Sequence, residues 1–169
     1  MSVLENGQVV LHEQTGQLSD MLDRALGAAG LHDGILAVHR NPETEAVTLT
    51  TDLDRLVQVF INLISNARKY CNADAPALMI TLRHDADSYH VDFVDNGSGI
   101  SAENQELIFE KFSRVTDESK AGGAGLGLAI CREIMLRLGG EVLYLAGVKG
   151  AGFRVVLPHA RFAPALEKT

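Results

Sequence analysis

The stretch from residue 51 to residue 70, TDLDRLVQVFINLISNARKY, carries two side-chain patterns on one predicted helix. Thr51 and Asp54 form a helix start that resembles a capping box, with aspartate in place of the usual glutamate or glutamine. Apolar residues then recur at the spacing of one helix face. This predicted buried stripe consists of Leu53, Leu56, Val57, Phe60, Ile64 and Ala67. The sequence therefore predicts a long amphipathic helix that ends at about Tyr70.

A row of polar side chains runs along the same predicted helix. It consists of Gln58, Asn62, Asn66 and Lys69, at relative positions i, i+4, i+8 and i+11. These spacings keep the four side chains on one face, distinct from the buried stripe. Carboxamide oxygens can bind Mg²⁺, and a lysine can bind phosphate. The alternative is a solvated helix face, but asparagine is a poor helix former, so two of them inside a helix call for another reason.

The block DNGSGI at residues 95–100 follows a predicted strand. Alternation along residues 89–94 is typical of a half-buried strand, which delivers Asp95 at its end. Gly97 and Gly99 then allow a sharp turn and a close approach of the backbone to a ligand. A carboxylate at this position can accept a hydrogen bond from an exocyclic amine. The alternative is a plain turn, in which the pattern Asp-x-Gly-x-Gly is common.

Three glycines, Gly123, Gly125 and Gly127, lie just before and inside a predicted helix at Leu126–Leu138. Glycines at such a position leave backbone N–H groups free to bind an anion at the helix start. The block is not the dinucleotide-binding fingerprint, because Leu128 occupies a glycine position of that motif and no strand precedes it. No GxxxxGK[ST] motif occurs, which argues against a P-loop enzyme. The alternative is a glycine-rich loop that leads into a helix.

Residues 113–124 are polar and end in glycine, which predicts a mobile loop. Phe109 and Phe112 flank this loop and are candidates to anchor it to the core, although ordinary packing explains them equally well. Arg114 and Lys120 on the loop could reach a terminal phosphate. For each of these two residues alone, a solvated surface charge is the simpler interpretation.

The remaining sequence predicts an α+β domain with two layers. A helix is expected at residues 17–29 and a short helix at 103–109. Strands are expected at residues 35–39, 46–50, 77–84, 88–94, 141–145 and 152–157. Paired strands between helices favour a mixed, mostly antiparallel sheet with about three helices on one face. We expect a connector at residues 1–16, the domain at 17–160 and a tail at 161–169.

Size and composition limit the possible functions. At 169 residues, with 46% hydrophobic and 22% charged residues, the chain is long enough for one domain with a real core. A net charge of −7 argues against a nucleic-acid partner. No apolar run reaches the roughly 18 residues of a membrane span. Cys71 and Cys131 form no CxxC pair, so neither a disulfide framework nor a zinc site is indicated, and a cytoplasmic setting is expected.

With these blocks in order, the chain resembles the catalytic ATP-binding domain of bacterial sensor histidine kinases, in the Bergerat-type ATPase superfamily. Residues 55–70 resemble the N box, 95–99 the G1 box, 109–112 the F box, 123–127 the G2 box and 150–153 the final glycine segment. The resemblance covers about residues 17–158. It implies the Bergerat fold, a two-layer α/β sandwich, and Mg-ATP as the ligand.

The resemblance also assigns roles on the predicted helix and loop. Asn66 is the expected Mg²⁺ ligand, and Asn62 is expected beside the phosphates. Lys69 is expected to contact phosphate, and Arg114 to reach the γ-phosphate. Tyr70 is expected to contact the base or the ribose.

At the opposite end of the nucleotide, Asp95 is expected to bind the adenine amine, with Gly97 and Gly99 shaping that wall. Residues 113–124 would form the ATP lid. The remaining expected nucleotide contacts are Gly123, Gly125, Leu126 and Gly127. Two departures from the family pattern are Ala124, where serine or threonine is common, and Leu138, where histidine is common.

The reaction type follows from one position. Relatives that hydrolyse ATP carry a water-activating glutamate one turn before the metal-binding asparagine, and this chain carries Asn62 there, which cannot act as a general base. The resemblance therefore implies a phosphoryl donor whose acceptor histidine is supplied by a separate dimerisation domain, with a response regulator downstream. His12 in HEQT at residues 12–15 partly mimics an acceptor motif, but too few residues precede Asn62 for a pair of long dimerisation helices. The parent protein could be membrane-anchored, although we expect no direct membrane contact in this region.

Two alternatives remain at this stage. One is an anti-sigma-factor-type relative that binds a partner protein and phosphorylates serine. The other is a degenerate nucleotide-binding scaffold. The block at 109–112, the long G2 segment and Lys69-Tyr70 favour the histidine kinase over the first alternative. The presence of Asn66, Asp95 and the G2 glycines argues against the second.

Overall fold

The computed structural model describes residues 4–5, 8–9, 11–31, 34–42, 46–105, 108–109, 122–145 and 150–164. The helices are α1 (Leu18–Ala28), α2 (Leu53–Tyr70), α3 (Ala102–Gln105), α4 (Gly122–Leu138) and α5 (His159–Phe162). The strands in the first third of the chain are β1 (Leu4–Glu5), β2 (Gln8–Val9), β3 (Gln14–Gln17), β4 (Ala37–Arg40) and β5 (Thr48–Thr51). The later strands are β6 (Ala77–His84), β7 (Ser88–Asp95), β8 (Glu141–Tyr144) and β9 (Gly152–Pro158).

Five strands form the main sheet, in the order β4-β6-β7-β9-β8. The β4–β6 pair is parallel, and the pairs β6–β7, β7–β9 and β8–β9 are antiparallel. This arrangement confirms the predicted mixed, mostly antiparallel sheet in an α+β fold. It also brings β7, which ends at Asp95, into the centre of the sheet.

The three long helices pack on one face of this sheet. Buried residues of α1, α2 and α4 form a single apolar cluster with alternate residues of the strands. The ring of Phe60 on α2 lies 5.5 Å from the ring of Phe93 on β7, centroid to centroid. All six residues of the predicted buried stripe on α2 belong to this cluster. Burial of a large apolar side chain stabilises a fold by about 1.5–3 kcal/mol, so this shared cluster fixes the position of α2 over β7.

The predicted capping pair at the start of α2 is wrong. The N-cap residue is Asp52, whose Oδ1 accepts a hydrogen bond from the Arg55 N–H at 3.2 Å. Its other oxygen, Oδ2, accepts from the His12 N–H at 3.1 Å. An aspartate at this position satisfies a helix N–H that has no partner within the helix, which explains why Asp52 rather than Thr51 starts the helix.

The early strands pair differently from the prediction. The two strands predicted at residues 35–39 and 46–50 belong to different sheets, because β4 joins the main sheet while β5 pairs with β3. Strand β3 lies at the end of the predicted connector and was not predicted as a strand. Its pairing with β5 places Gln14 opposite Thr51 and Gln17 opposite Thr48.

Two element boundaries also differ near the predicted glycine blocks. Helix α4 begins at Gly122, four residues before the predicted start at Leu126. The short helix α3 ends at Gln105, whereas the prediction extended to residue 109. Glycine has a low helix propensity, so sequence patterns assign a glycine-rich first turn to the preceding loop.

A paired carboxylate lies on the sheet face opposite the helices. Asp92 on β7 and Arg154 on β9 are direct cross-strand partners. The guanidinium donates through Nε to Oδ1 at 2.8 Å and through Nη2 to Oδ2 at 3.0 Å. The hydrogen bond to Asp92 raises the pKa of Arg154. Such a bidentate pair offsets the cost of burying the carboxylate and links the two central strands.

Candidate functional site

The polar face of α2 lines a cleft against the first half of α4. The cleft, of about 70 Å³, is lined by Asn62, Ser65, Asn66, Lys69, Tyr70, Gly127 and Leu128. The structure thus brings together four of the predicted α2 site residues and one of the predicted glycines. Two larger clefts, of about 340 and 440 Å³, lie along the other parts of α4, and neither is lined by Asn66 or Asp95.

Asn62 links the two helices at the floor of the cleft. Its Oδ1 accepts a hydrogen bond from Gln58 Nε2 at 3.0 Å, and its Nδ2 donates to the Gly127 carbonyl at 3.4 Å. Close by, the buried Cys131 thiol on α4 lies 3.8 Å from the Val59 carbonyl on α2. Burial raises the pKa of Cys131 to about 12, so this thiol is protonated at neutral pH. Helices α2 and α4 therefore contact each other through a polar side chain at the cleft and through a buried, uncharged thiol beside it.

The glycine-rich start of α4 precedes Gly127 and Leu128, the two residues of that helix that line the cleft. Because the helix begins at Gly122, Gly123 lies among the first residues, whose backbone N–H groups have no partner within the helix, and Gly125 follows at the end of the first turn. These groups and the helix dipole favour an anion. A Cβ at Gly127 would meet no atom within 4 Å, so packing does not require glycine there.

Of the other residues predicted to contact the phosphates or the ribose, some are described by the structure and some lie outside the described ranges. Lys69 and Tyr70 are exposed at the last turn of α2, and partial burial raises the pKa of the Tyr70 phenol. Leu126 lies in the same helix, α4, as the predicted glycines. Arg114, Lys120 and Phe112 lie outside the described residues, as does most of the predicted lid.

The second half of the site is the carboxylate at the end of β7. Asp95 is buried, and its Oδ1 accepts hydrogen bonds from the Gly97 N–H at 2.8 Å and the Ala151 N–H at 3.1 Å. Within the described part of the chain, its Oδ2 accepts no hydrogen bond. Two N–H donors on one oxygen fix the orientation of the carboxylate and leave the other oxygen for a ligand donor.

The turn after Asp95 is packed too closely for most side chains. Gly150 has a φ of +87°, and a Cβ there would collide with the Asp95 carbonyl oxygen. Gly99 has a φ of +85°, and its Cβ would lie 3.0 Å from the Gly150 carbonyl oxygen. A Cβ at Gly97 would lie 2.9 Å from Asn72 Oδ1. The glycine segment at residue 150 therefore forms the wall behind the carboxylate, where an L-residue with φ above zero would be strained.

Several side chains that the sequence analysis did not assign fasten this turn. Asn96 accepts from the Ala77 N–H at 2.9 Å and donates to the Ala75 carbonyl at 3.0 Å. The Tyr144 hydroxyl accepts from the Ile100 N–H at 3.2 Å. An asparagine before glycine is a turn signal, so Asn96 could have been found from the sequence, whereas nothing in the sequence pattern marks Tyr144.

A second pair of hydrogen bonds connects this turn to the end of α2. Asn72 Oδ1 accepts from the Ser98 N–H at 2.9 Å, and Asn72 Nδ2 donates to Ser98 Oγ at 2.9 Å. Asn72 follows Cys71, the C-cap residue of α2. The Asn72–Ser98 clamp therefore links the helix that carries Asn66 to the turn that carries Gly97.

Aromatic rings support the site between α3 and the sheet. The half-buried Phe109 packs edge-on against Phe153 with 6.0 Å between ring centroids, and Tyr144 packs against the same ring at 5.5 Å. The Arg132 guanidinium lies 6.0 Å from the centre of the Phe109 ring. Phe109 thus packs against the core, as both sequence interpretations predicted, and most of the loop that it was expected to anchor lies outside the described residues.

The oxygen-bearing side chains in the cleft suit a cation such as Mg²⁺ that is held partly by the protein and partly by a phosphate ligand. Among the described residues, no cluster of three or more His, Cys, Asp or Glu side chains could hold a metal ion alone. Mg²⁺ commonly takes one or two oxygen ligands from protein, with water and phosphate oxygens completing its shell. The Asn66 carboxamide, in a cleft with Lys69 and Gly127, fits that mode of binding. In the described part of the chain, no helix has the length and apolar character to cross a membrane.

The sequence matches a family of known ATPases over most of this region. The family model described as "Histidine kinase-, DNA gyrase B-, and HSP90-like ATPase" matches residues 51–161. Among curated proteins, the Sensor protein KdpD of Escherichia coli is 41% identical over 112 residues, which are 66% of this chain and 12% of KdpD. The Sensor protein VanS of Enterococcus faecium is 34% identical over 157 residues, 92% of this chain and 39% of VanS. The chain thus spans well under half of the length of either relative.

Solved structures of sensor kinases share the fold. The mycobacterial sensor histidine kinase MprB superposes with a TM-score of 0.73 at 22% identity, over 89% of this chain and 99% of that one. The catalytic domain of histidine kinase ThkA gives a TM-score of 0.74 at 24% identity, over 88% of this chain and 96% of that one. At these identities the likeness concerns the fold, and it confirms the predicted architecture.

Proposed function

We propose a function from the family of the chain, which belongs to the histidine kinase-, DNA gyrase B- and HSP90-like ATPases as the catalytic ATP-binding domain of the sensor histidine kinase type. In this proposal, the chain binds Mg-ATP and donates the γ-phosphate to a histidine of a separate dimerisation domain. The phosphoryl group would then pass to a response regulator. The curated relatives named as sensor proteins support this proposal.

One observation carries the proposal. The row of Asn62, Asn66 and Lys69 on α2 shares a cleft with Gly127 and Leu128, which follow the glycine-rich start of α4. A carboxamide ligand, an ammonium group and a helix start complement a magnesium-bound polyphosphate. Mg²⁺, when bound, would neutralise phosphate charge. At the other end of the site, the oriented Asp95 carboxylate complements the adenine amine.

The composition of the cleft favours transfer over hydrolysis. No carboxylate or histidine is among the described residues that line it, so these residues supply no general base for water. Asn62, at the position of the expected base, instead has both ends of its amide engaged by Gln58 and Gly127. The residues therefore suit holding ATP for an external acceptor.

His12 is unsuited to the role of that acceptor. It lies in the segment that leads into β3, and its backbone N–H is bonded to the N-cap aspartate of α2. An irregular segment before a strand differs from the long helix on which a dimerisation domain presents its histidine. We therefore propose that the acceptor comes from another domain.

Calorimetry tests the binding step. The chain should bind ATP in the presence of Mg²⁺, and Asn66→Ala should weaken that binding about tenfold or more, with most of the loss confined to the Mg²⁺-dependent part. Asn41→Ala is a matched control, because the Asn41 amide is bonded to Leu82 backbone groups at the opposite edge of the sheet. Absence of nucleotide binding by the unmodified chain would refute the proposal.

Phosphotransfer tests the reaction. The chain mixed with labelled ATP and a supplied histidine-kinase dimerisation domain should yield an acid-labile phosphohistidine on that domain. The chain alone should remain unlabelled. Label that maps to His12 would contradict the external acceptor, and label on a serine of a partner protein would favour the anti-sigma-type alternative.

A further inference from the structure

We propose that Asn72 is a positioning residue for base recognition, which acts through the Asn72–Ser98 clamp to aim the Asp95 carboxylate at the purine. This inference rests on the proposed recognition of adenine by Asp95. It adds a residue that lies outside the five sequence blocks of the family resemblance, on the exposed loop after α2.

The geometry of the clamp is defined by its donors. A backbone N–H can only donate, so the 2.9 Å contact from the Ser98 N–H identifies the acceptor atom of the Asn72 amide as Oδ1. The amide nitrogen then donates to the Ser98 hydroxyl, also at 2.9 Å. Two bonds from one planar amide to one residue restrict both the position and the rotation of Ser98.

The restriction passes along the backbone to Asp95. Ser98 is the neighbour of Gly97, whose N–H donates to Asp95 Oδ1 at 2.8 Å. A displacement of Ser98 therefore moves the Gly97 N–H. Because that N–H is one of only two described donors on Oδ1, the direction of Oδ2 changes with it.

The close contact between Asn72 and Gly97 supports the same chain of contacts. A Cβ at Gly97 would lie 2.9 Å from Asn72 Oδ1 and 3.2 Å from the Asn72 backbone nitrogen. The loop after α2 thus lies so close to Gly97 that a side chain there would press against it. Asn72 fills the junction between the element that carries the proposed metal ligand and the element that carries the proposed base acceptor.

The test compares two nucleotides that differ at the recognised group. Inosine triphosphate carries a carbonyl oxygen where ATP carries the exocyclic amine, so it cannot donate to Asp95 from that position. Calorimetry on the full chain should show that Asn72→Ala weakens binding of Mg-ATP about fivefold and leaves binding of Mg-inosine triphosphate unchanged. Asn72→Asp retains an acceptor for the Ser98 N–H and should restore most of the preference for ATP.

The outcomes separate this inference from the function on which it rests. An equal fall for both nucleotides would assign Asn72 a merely structural role, and no fall for either would exclude any role, so each overturns the inference. If the unmodified chain shows no preference for ATP, recognition by Asp95 fails and the inference fails with it. Asp74→Ala, at an exposed position of the same loop, should change neither affinity.

Discussion

Two buried carboxylates lie three residues apart on β7, and their surroundings differ in kind. Asp92 faces away from the helices and receives both hydrogen bonds from the Arg154 guanidinium. Asp95, at the end of the strand, receives two hydrogen bonds from backbone N–H groups, both on a single oxygen. Both oxygens of Asp92 are bonded to one guanidinium, whereas Asp95 has one oxygen without a described partner.

This difference separates a structural charge from a binding charge. A buried carboxylate that is paired with arginine contributes to the fold, and its removal leaves an uncompensated cation. A carboxylate that is oriented by amides and left incomplete is suited to accept a donor from a ligand. Because both residues lie on one strand, matched substitutions can test the distinction directly.

The largest effect is expected where the wall behind Asp95 is disturbed. Gly150→Ala would place a Cβ against the Asp95 carbonyl oxygen at a φ of +87°. We expect the free energy of unfolding in urea to fall by about 3 kcal/mol or more, with loss of ATP binding in calorimetry. Gly34→Ala is the control, since Gly34 has a φ of +73° and no atom within 4 Å of its Cβ position. It should cost only about 1–2 kcal/mol and leave binding intact.

The next effect concerns the binding carboxylate itself. Asp95→Asn keeps an acceptor for the two backbone N–H groups but presents an NH₂ group to the adenine amine. We expect ATP affinity to fall about a hundredfold, with the urea midpoint nearly unchanged. Inosine triphosphate should bind this variant at least as well as it binds the original chain. A large loss of stability without loss of binding would reverse the roles assigned to the two carboxylates.

The matched substitution on the opposite face should have the converse effect. Asp92→Asn leaves the half-buried Arg154 without its anionic partner, so we expect a loss of about 2 kcal/mol in the free energy of unfolding. ATP affinity should stay within about twofold. The double variant with Arg154→Met should recover part of the stability, because both polar partners are then removed. Weakened ATP binding in Asp92→Asn would show that the two carboxylates are coupled along β7.

The smallest effect is expected at the far side of the turn. Tyr144→Phe removes the acceptor for the Ile100 N–H and keeps the ring that packs on Phe153. We expect a loss of about 1 kcal/mol in stability and a twofold to threefold loss in ATP affinity. A larger effect here than in Asp95→Asn would mean that the shape of the turn, and not the carboxylate, governs recognition of the base.

The sequence predicted the structural features that arise when one face of a regular helix or strand is buried. The apolar stripe of α2 is buried in full, and β7 delivers Asp95 at its end, because both patterns arise from burial of one face of a regular element. The same periodicity placed Asn62, Asn66 and Lys69 on a common face, and these residues line one cleft. Their roles toward the nucleotide remain predictions.

The sequence could not predict contacts between distant loops. The pairing of β3 with β5 involves short polar strands that carry little hydrophobic pattern, so the sequence predicts a connector where β3 lies. Asn72 looks like any polar loop residue until the turn of Gly97 and Ser98 is folded against it. Helix α4 begins earlier than the sequence pattern indicates, because the helix that follows overrides the low helix propensity of its glycines.

The two cysteines have a practical consequence for labelling. Thiol reagents attack the thiolate, and the buried Cys131, with a pKa of about 12, has almost none at neutral pH. Cys71 is partly exposed at the end of α2 and touches Asn96 of the turn after Asp95. A maleimide dye should therefore attach to Cys71 alone, without any change to the sequence. The dye would stand beside the base-recognition turn, where its emission could report nucleotide binding in solution.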